Sequence, residues 1–247
     1  MTEALAAAPA LRPLREILAG TDCVFAGSVF DPISARIAQS LGHEIGVMGG
    51  SVASYAVLGA PDIILLTLTE LVEQSRRVCR AARLNLIVDA DHGYGNALNV
   101  MRTVEELGAA GVAGLGIEDT LLPRAYGSGE TAQLVSIAEG VGKMKAAVAA
   151  RGTGGPVILG RTNAVSITGV PDAIERLKAY QDTGVDALFV TGLKRREDLE
   201  TIARAVVKLG YTTDRAQVEP CYIEPLLLDV PVPTRAEIAA RLGEIAV

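Results

Sequence analysis

Residues 85–119, NLIVDADHGYGNALNVMRTVEELGAAGVAGLGIED, contain the pattern that decides the fold of this chain. The stretch opens with a short apolar run at 85–88 and closes with another at 114–117, and neither run alternates strictly between apolar and polar residues. Short runs of this kind are typical of strands that are buried on both faces. With a helical run between them, they predict a strand–helix–strand unit whose strands are parallel.

The same alternation of short apolar runs and helical runs continues along the whole chain. Two helix starts are marked by their sequence, Asp31-Pro32 and the capping-box pair Thr67 and Glu70. Eight strands favour a (β/α)8 TIM-type barrel over an open doubly wound sheet, which normally carries a Gly-rich phosphate loop after its first strand. The predicted strands are residues 23–29, 44–48, 85–88, 114–117, 156–159, 186–190, 225–228 and 244–247.

No Ser/Pro/Gly-rich linker divides the chain, so we predict a single barrel domain over residues 1–247. Residues 1–20 are expected to form an N-terminal helical segment, and residues 209–224 an insertion before the seventh strand. The sequence then stops within the eighth predicted strand. We therefore expect a barrel that ends in strand eight without its last helices.

The composition excludes several classes of protein. The 247 residues are 49% hydrophobic and 21% charged, as in globular proteins, and the net charge of −6 argues against a nucleic-acid partner. The longest uncharged stretch, 46–61, is too short and too polar to span a bilayer, so no membrane partner is expected. Cys23, Cys79 and Cys221 are far apart in sequence, which predicts unpaired thiols in a reducing, cytoplasmic environment.

Polar residues collect at the carboxyl ends of five successive predicted strands. In a barrel these ends meet at one mouth, which is where catalytic groups lie in this fold. The residues are Gly49-Gly50-Ser51 after strand two, Asp89-Ala90-Asp91 after strand three, Glu118-Asp119 after strand four, Arg161-Thr162-Asn163 after strand five and Thr191-Gly192 after strand six.

Three of these residues are carboxylates that suit a metal ion. Asp89 and Asp91 are two positions apart and would share a face if the strand continued, and Glu118 would come from the neighbouring strand. Oxygen ligands of this kind favour Mg²⁺ or Mn²⁺. The alternative is that one aspartate caps a helix and the other pairs with Arg161.

The other polar groups also allow two interpretations each. Arg161 either forms an internal salt bridge or grips a substrate carboxylate with its two-pronged guanidinium. Gly50-Ser51 forms either a tight turn or an oxyanion-binding pair of amides. His92 is either a catalytic base or, as we expect, a neutral imidazole that acts at most indirectly. The Gly-rich stretch around Gly127 and Gly129 is either a surface loop or a gate over the mouth.

Four stretches resemble the isocitrate lyase/phosphoenolpyruvate mutase superfamily, and within it the oxaloacetate decarboxylases. They are residues 28–32 SVFDP, 49–54 GGSVAS, 89–96 DADHGYGN and 117–120 IEDT. The resemblance implies Mg²⁺ held directly by Asp89, and a small anionic 2-oxo acid substrate that chelates it. It assigns water-mediated metal contacts to Asp91, Glu118 and Asp62. It assigns substrate binding to Gly50, Ser51, Arg161 and Asn163, with Ser51, Asp89 and Arg161 as the catalytic set.

Two departures from the superfamily bear on the choice of branch. Isocitrate and methylisocitrate lyases carry a Lys-(Lys/Arg)-Cys-Gly-His motif after strand four, whereas residues 120–127 here read TLLPRAYG. Phosphoenolpyruvate mutases use Lys and Asn in that loop, where this chain has Arg124 and Tyr126, and a His at the position of Thr191. We expect the loop to gate the mouth through Arg124, Tyr126, Gly127 and Gly129.

The expected activity is therefore a Mg²⁺-dependent carbon–carbon lyase reaction, best represented by decarboxylation of oxaloacetate to pyruvate through a metal-stabilised enolate. Enolate chemistry is shared across the superfamily, so a mutase, a 2-oxo acid hydrolase or a retro-aldol lyase is an alternative. The strand-eight Gly-His motif of the decarboxylases is missing, which leaves open a non-catalytic binding protein with an incomplete barrel. Apolar surface left by the missing outer helix predicts a homo-oligomer.

Overall fold

The computed structural model describes residues 11–20, 24–125, 127 and 132–206. One or two helices separate successive strands throughout this part of the chain. The strands are β1 Gly27–Ser28, β2 Ile45–Met48, β3 Asn85–Asp89, β4 Gly114–Glu118, β5 Val157–Thr162 and β6 Ala187–Val190. The helices are α1 Leu14–Leu18, α2 Pro32–Ser40, α3 Gly50–Leu58, α4 Leu68–Ala81, α5 Ala97–Ala109, α6 Ile137–Arg151, α7 Ala164–Ile167, α8 Val170–Gln181 and α9 Arg196–Ala205.

The six strands form one sheet in the order β1-β2-β3-β4-β5-β6, and every neighbouring pair is parallel. Each strand is joined to the next through at least one helix. The expected α/β class with parallel strands is therefore confirmed. The predicted strands at 225–228 and 244–247, and the insertion at 209–224, lie outside the described residues.

Several predicted strand boundaries are wrong. β1 covers only two residues of the predicted 23–29, whereas β3, β4 and β5 extend beyond their predicted ends to Asp89, Glu118 and Thr162. Asp89, Glu118, Arg161 and Thr162, which were expected just after their strands, are thus part of them. Their backbones still pair with the neighbouring strand, Glu118 with Arg161 and Asp89 with Gly116, while their side chains project from the sheet.

Apolar side chains fill both sides of the sheet. One cluster packs the strands against the surrounding helices, with Val88, Leu115 and Ile117 at its centre. A second cluster, on the other face, joins strand residues such as Ile87 and Leu159 to α1, which contributes Leu14 and Ile17. Successive strand side chains alternate between faces. Asp89 lies two residues after Ile87, and Arg161 lies two residues after Leu159. Both side chains therefore lie on the same face of the sheet as α1, but at the opposite end of the strands.

The helix starts follow the sequence. Asp31 and Ser34 cap α2 reciprocally, as Thr67 and Glu70 cap α4. Cys79, on α4, is a free thiol, while Cys23 and Cys221 lie outside the described residues. Within the described ranges, every helix is too short or too polar to cross a membrane.

Candidate active site

Asp89, Glu118 and Arg161 meet at the carboxyl ends of three adjacent strands. The register sets Glu118 beside Arg161, and the Arg161 guanidinium donates to Asp89 Oδ2 at 2.5 Å while its Nε lies 3.2 Å from Glu118 Oε2. All three side chains are largely buried. The internal salt bridge considered for Arg161 is therefore present, and both of its partners are predicted metal-site carboxylates.

Asp91 reaches the same place by a route that the sequence interpretation missed. The strand does not continue past Asp89, so the shared-face explanation for Asp89 and Asp91 is wrong. Asp91 instead adopts a left-handed backbone with φ +46°, and its amide donates to Asp89 Oδ1 at 3.1 Å. A turn, rather than strand alternation, brings the two carboxylates together.

Gly50 begins α3 at the centre of the acidic group. A Cβ placed on Gly50 would lie 3.0 Å from Asp91 Oδ1, 3.4 Å from Asp62 Oδ2 and 3.7 Å from Asp89 Oδ2. Three carboxylates thus surround one backbone position, where glycine leaves room for them. The expected tight turn is instead a helix start, so the first amides of α3, including those of Gly50 and the exposed Ser51, have no acceptor within the helix.

The carboxyl groups are short of positive charge. Burial, followed by the nearby charges of Asp89, Asp62 and Glu118, raises the pKa of Asp91 to about 8. Burial also raises the pKa of Glu118, although Arg161 opposes this, and burial together with Asp89 raises the pKa of Asp62. Among the described residues, these four carboxyl groups therefore share the Arg161 guanidinium, an arrangement that a divalent cation with oxygen ligands fits.

The geometry limits how such a cation would be held. Within the described part of the chain, no three His, Cys, Asp or Glu side chains are grouped closely enough to coordinate one ion together. At most two of these side chains would then contact an ion directly, with waters completing its coordination, as is usual for Mg²⁺. The direct ligand implied by the resemblance, Asp89, stays a prediction.

Asn163 holds the Glu118 side chain in place. Its Nδ2 donates to Glu118 Oε2 at 2.6 Å and to Thr120 Oγ1 at 2.8 Å, and its Oδ1 accepts a hydrogen bond from the Thr191 hydroxyl. The amide predicted to bind substrate is thus engaged on both ends by protein groups. Its contact with substrate stays a prediction.

Asp119, next to Glu118, points the opposite way. Its Oδ2 accepts hydrogen bonds from Tyr180 at 2.7 Å, Thr162 at 2.9 Å and Arg176 at 3.1 Å, and the residue is fully buried. Because neighbouring strand residues face opposite sides, Asp119 ties β4 to α8 while Glu118 faces the mouth.

Two residues near the site were missed by the sequence analysis. Phe189 of β6 pairs in register with Arg161, whose Cζ lies 5.5 Å from the centre of the phenyl ring in a cation–π contact. The register could have suggested Phe189, since it lies two residues before Thr191.

Lys143 of α6 is buried and donates to the His92 carbonyl, and no local sequence signal marks this lysine. His92 is buried, and burial followed by the Lys143 charge lowers its pKa to about 4, so the imidazole is neutral as expected.

The predicted gating loop leaves the site between β4 and α6. Thr120 and Leu134 form an antiparallel bridge at its base, and the Leu121 amide donates to the Gln133 carbonyl at 2.8 Å. Arg124 and Gly127 are exposed, whereas Tyr126 and Gly129 lie outside the described residues. The gating role stays a prediction.

Parallel strands joined by helices, with acidic groups and one arginine at their carboxyl ends, define an α/β protein with a ligand site at that edge. The profile of a family described as phosphoenolpyruvate phosphomutase matches residues 14–218. The chain belongs to this family. The superfamily resemblance seen in the sequence is therefore confirmed.

Two curated relatives are named oxaloacetate decarboxylase. One, from Rhodopseudomonas palustris (strain BisA53), is 63% identical over 192 residues, which are 78% of this chain and 66% of the relative. The other, from Bradyrhizobium diazoefficiens, is 55% identical over 230 residues, which are 92% of this chain and 79% of the relative. The chain thus spans two thirds to four fifths of the length of these relatives, and the resemblance to this branch is confirmed.

Solved structures of the superfamily are similar in fold. Oxaloacetate acetylhydrolase in complex with the inhibitor 3,3-difluorooxalacetate is 31% identical, with a TM-score of 0.74 over 81% of this chain and 69% of that one. Phosphonopyruvate hydrolase in complex with oxalate and Mg²⁺ is 29% identical, with a TM-score of 0.71 over 78% of this chain and 66% of that one.

Proposed function

We propose that this protein decarboxylates oxaloacetate to pyruvate and CO₂ with the help of a divalent cation, Mg²⁺ being the expected ion and Mn²⁺ the alternative. The observation that carries the proposal is the group of carboxylates around Gly50 with Arg161 beside it. An anionic substrate needs local positive charge here, because the protein as a whole is negative, and a cation and the Arg161 guanidinium would supply it. The names of the two decarboxylase relatives support this choice of substrate.

Asp89 is the proposed direct ligand of the cation, and Asp91, Glu118 and Asp62 would hold its waters. A bound divalent cation would supply Lewis-acid polarisation of the 2-oxo group. Asn163 keeps the Glu118 carboxylate oriented, since it donates to one of its oxygens.

Arg161 and the start of α3 act on the substrate itself in this proposal. Arg161 offers its guanidinium to a substrate carboxylate, and the Gly50 and Ser51 amides face the oxygen on which negative charge develops. As the C3–C4 bond breaks, C4 leaves as CO₂ and the bonding electron pair forms the enolate of pyruvate. A proton, from water or from a protein acid, then adds to C3.

The finer features of the fold are part of the same proposal. We infer a single closed (β/α)8 barrel, which is supported by the sequential order of six parallel strands and by two further predicted strands at 225–228 and 244–247. We also infer a homo-oligomer, supported by exposed apolar side chains on α2. A gate formed by residues 124–129 and a cytoplasmic location stay predictions.

The test is pyruvate release from oxaloacetate above the background of Mg²⁺ alone. Asp89→Ala should abolish this activity together with the rise in Tm that Mg²⁺ causes, with a loss in Mg²⁺ affinity of at least about 100-fold. Asp89→Asn, which keeps the side-chain shape, should behave in the same way. Asp182→Asn changes an exposed aspartate at the end of α8 and serves as the matched control.

Two results would contradict the proposal. Wild-type Mg²⁺ affinity in the Asp89 variants would show that the metal site is misassigned. The second is a protein that binds Mg²⁺ and the anion oxalate yet releases pyruvate no faster than Mg²⁺ alone does. That result would favour the non-catalytic binding protein.

A further inference from the structure

The loop that carries Asp91 has a backbone that must be held in place from outside. Four of its five residues have a positive φ: Asp91 at 46°, Gly93 at 77°, Tyr94 at 61° and Gly95 at 147°. Two of these are not glycine, and such residues adopt this conformation only when their surroundings enforce it. The position of the Asp91 carboxylate therefore depends on the contacts of the loop.

Three successive carbonyls of this loop are held by three different elements. The Asp91 carbonyl accepts a hydrogen bond from the Glu118 amide of β4 at 2.8 Å. The His92 carbonyl accepts one from Lys143 Nζ of α6 at 3.1 Å, and the Gly93 carbonyl accepts one from the Thr103 hydroxyl of α5 at 3.1 Å. Lys143 is the only one of the three donors that reaches the loop by a long side chain.

A buried lysine at this position needs an explanation. Lys143 is 3% exposed on a helix face that otherwise buries Gly140, Met144 and Ala147. Removing an ammonium group from water is costly unless it finds hydrogen-bond partners, so an apolar residue would satisfy packing alone. What the lysine adds is a charged donor that spans from the helix layer to the His92 carbonyl, one residue from Asp91.

We propose that Lys143 is a positioning residue that fixes the 91–95 loop and thereby sets the affinity of the site for its divalent cation. The inference rests on the proposed cation site at Asp89 and Asp91. It assigns to α6 a part in cation binding although α6 supplies no ligand.

The test compares Lys143→Met with Lys145→Met, which makes the same change at an exposed position two residues along the same helix. Mg²⁺ binding is measured by calorimetry with magnesium chloride alone, and backbone exposure by hydrogen exchange of the 90–96 amides without metal. Lys143→Met should weaken Mg²⁺ binding by about 10-fold or more and speed exchange in this loop. Lys145→Met should change neither quantity.

Activity separates positioning from general damage. In Lys143→Met the Mg²⁺ concentration for half-maximal activity should rise, while kcat at saturating Mg²⁺ stays within a few-fold of wild type. Unchanged Mg²⁺ affinity and unchanged exchange in a folded Lys143→Met protein would overturn the proposal.

Thr103→Val keeps the proposal testable if Lys143→Met does not fold. It removes the hydroxyl that holds the next carbonyl without removing a charge, and should shift both measurements in the same direction. A folded Thr103→Val protein with wild-type exchange and Mg²⁺ affinity would overturn the idea that loop anchoring sets the affinity. Failure of wild-type protein to bind Mg²⁺ would refute the proposed function, whereas the exchange measurement would still report on Lys143.

Discussion

Arg161 lies between two carboxylates on one side and a phenyl ring on another. Its guanidinium contacts Asp89 and Glu118 at once and rests against Phe189. A planar group with several donors can meet these demands and still present an edge to a substrate carboxylate. A lysine ammonium is a compact point charge and can replace only part of this arrangement.

We therefore predict that Arg161→Lys raises the KM for oxaloacetate by about 10- to 100-fold, the equivalent of losing about 1.4–2.8 kcal/mol of carboxylate binding. Steady-state kinetics at saturating Mg²⁺ measures the effect. Arg151→Lys is the matched control, because Arg151 is salt-bridged to Asp186 near the amino ends of β5 and β6. An unchanged KM in the Arg161 variant would remove Arg161 from the substrate site.

At this scale, residue type and chain position predict part of the candidate site. Asp89, Glu118 and Arg161 were found because parallel strands bring their carboxyl ends together. Asp91 was found for the wrong reason, since a left-handed turn is invisible to strand alternation. Lys143 was missed because a lysine on a helix is usually exposed, and only the packing of α6 shows that this one is not.

Helices were easier to predict than strands at the scale of elements. Helix starts depend on local chemistry, so Asp31 and Thr67 mark α2 and α4 correctly. Strand ends depend on which neighbour continues the ladder. Arg161 belongs to β5 because Phe189 and Glu118 pair with it on both sides, which no local pattern reveals.

The segment between β4 and α6 lacks the motif that isocitrate and methylisocitrate lyases carry there. Residues 120–135 contain neither Cys nor His. Cys79 cannot replace the missing loop thiol, since it lies on α4 and burial raises its pKa to about 11. In isocitrate and methylisocitrate lyases the cysteine of this motif acts as the general acid. A general acid contributes about 10²- to 10⁴-fold to a reaction rate, so we expect cleavage of those substrates without this thiol to be strongly slowed.

We predict that the protein does not cleave isocitrate or 2-methylisocitrate at a useful rate. The measurement is the release of glyoxylate or pyruvate from each compound, with oxaloacetate decarboxylation by the same preparation as the positive control. Turnover of either compound at the rate of a dedicated lyase would show that the branch assignment is wrong.

At the scale of the whole molecule, α2 presents an apolar face that the described residues leave exposed. Ile33, Ile37 and Leu41 are 68%, 53% and 73% exposed, and their spacing of four residues places them on one side of the helix. α2 follows β1, the strand at the edge of the described sheet. Contiguous exposed apolar surface of this kind usually marks an interface.

The energy at stake is large compared with the stability of a domain. Burial of apolar surface contributes about 25 cal/mol per Å², so covering several hundred Å² on two subunits would contribute on the order of 10 kcal/mol. A typical domain has a total stability of only about 5–15 kcal/mol. We therefore expect self-association through this face, and a two-fold dimer is the simplest closed arrangement because one patch then meets its own copy.

We predict a homo-oligomer at micromolar concentration, with α2 at the contact. Sedimentation velocity measures the oligomeric state, and the melting temperature of the protein should rise with its concentration.

Ile37→Glu places a charge at the centre of the apolar face of α2 and should shift the protein towards monomer, because burying an unpaired carboxylate is costly. Ala149→Glu, at an exposed position of α6, should leave the assembly unchanged. A wild-type monomer with a cooperative, concentration-independent melt would show that another part of the same chain covers α2, and would contradict the predicted oligomer.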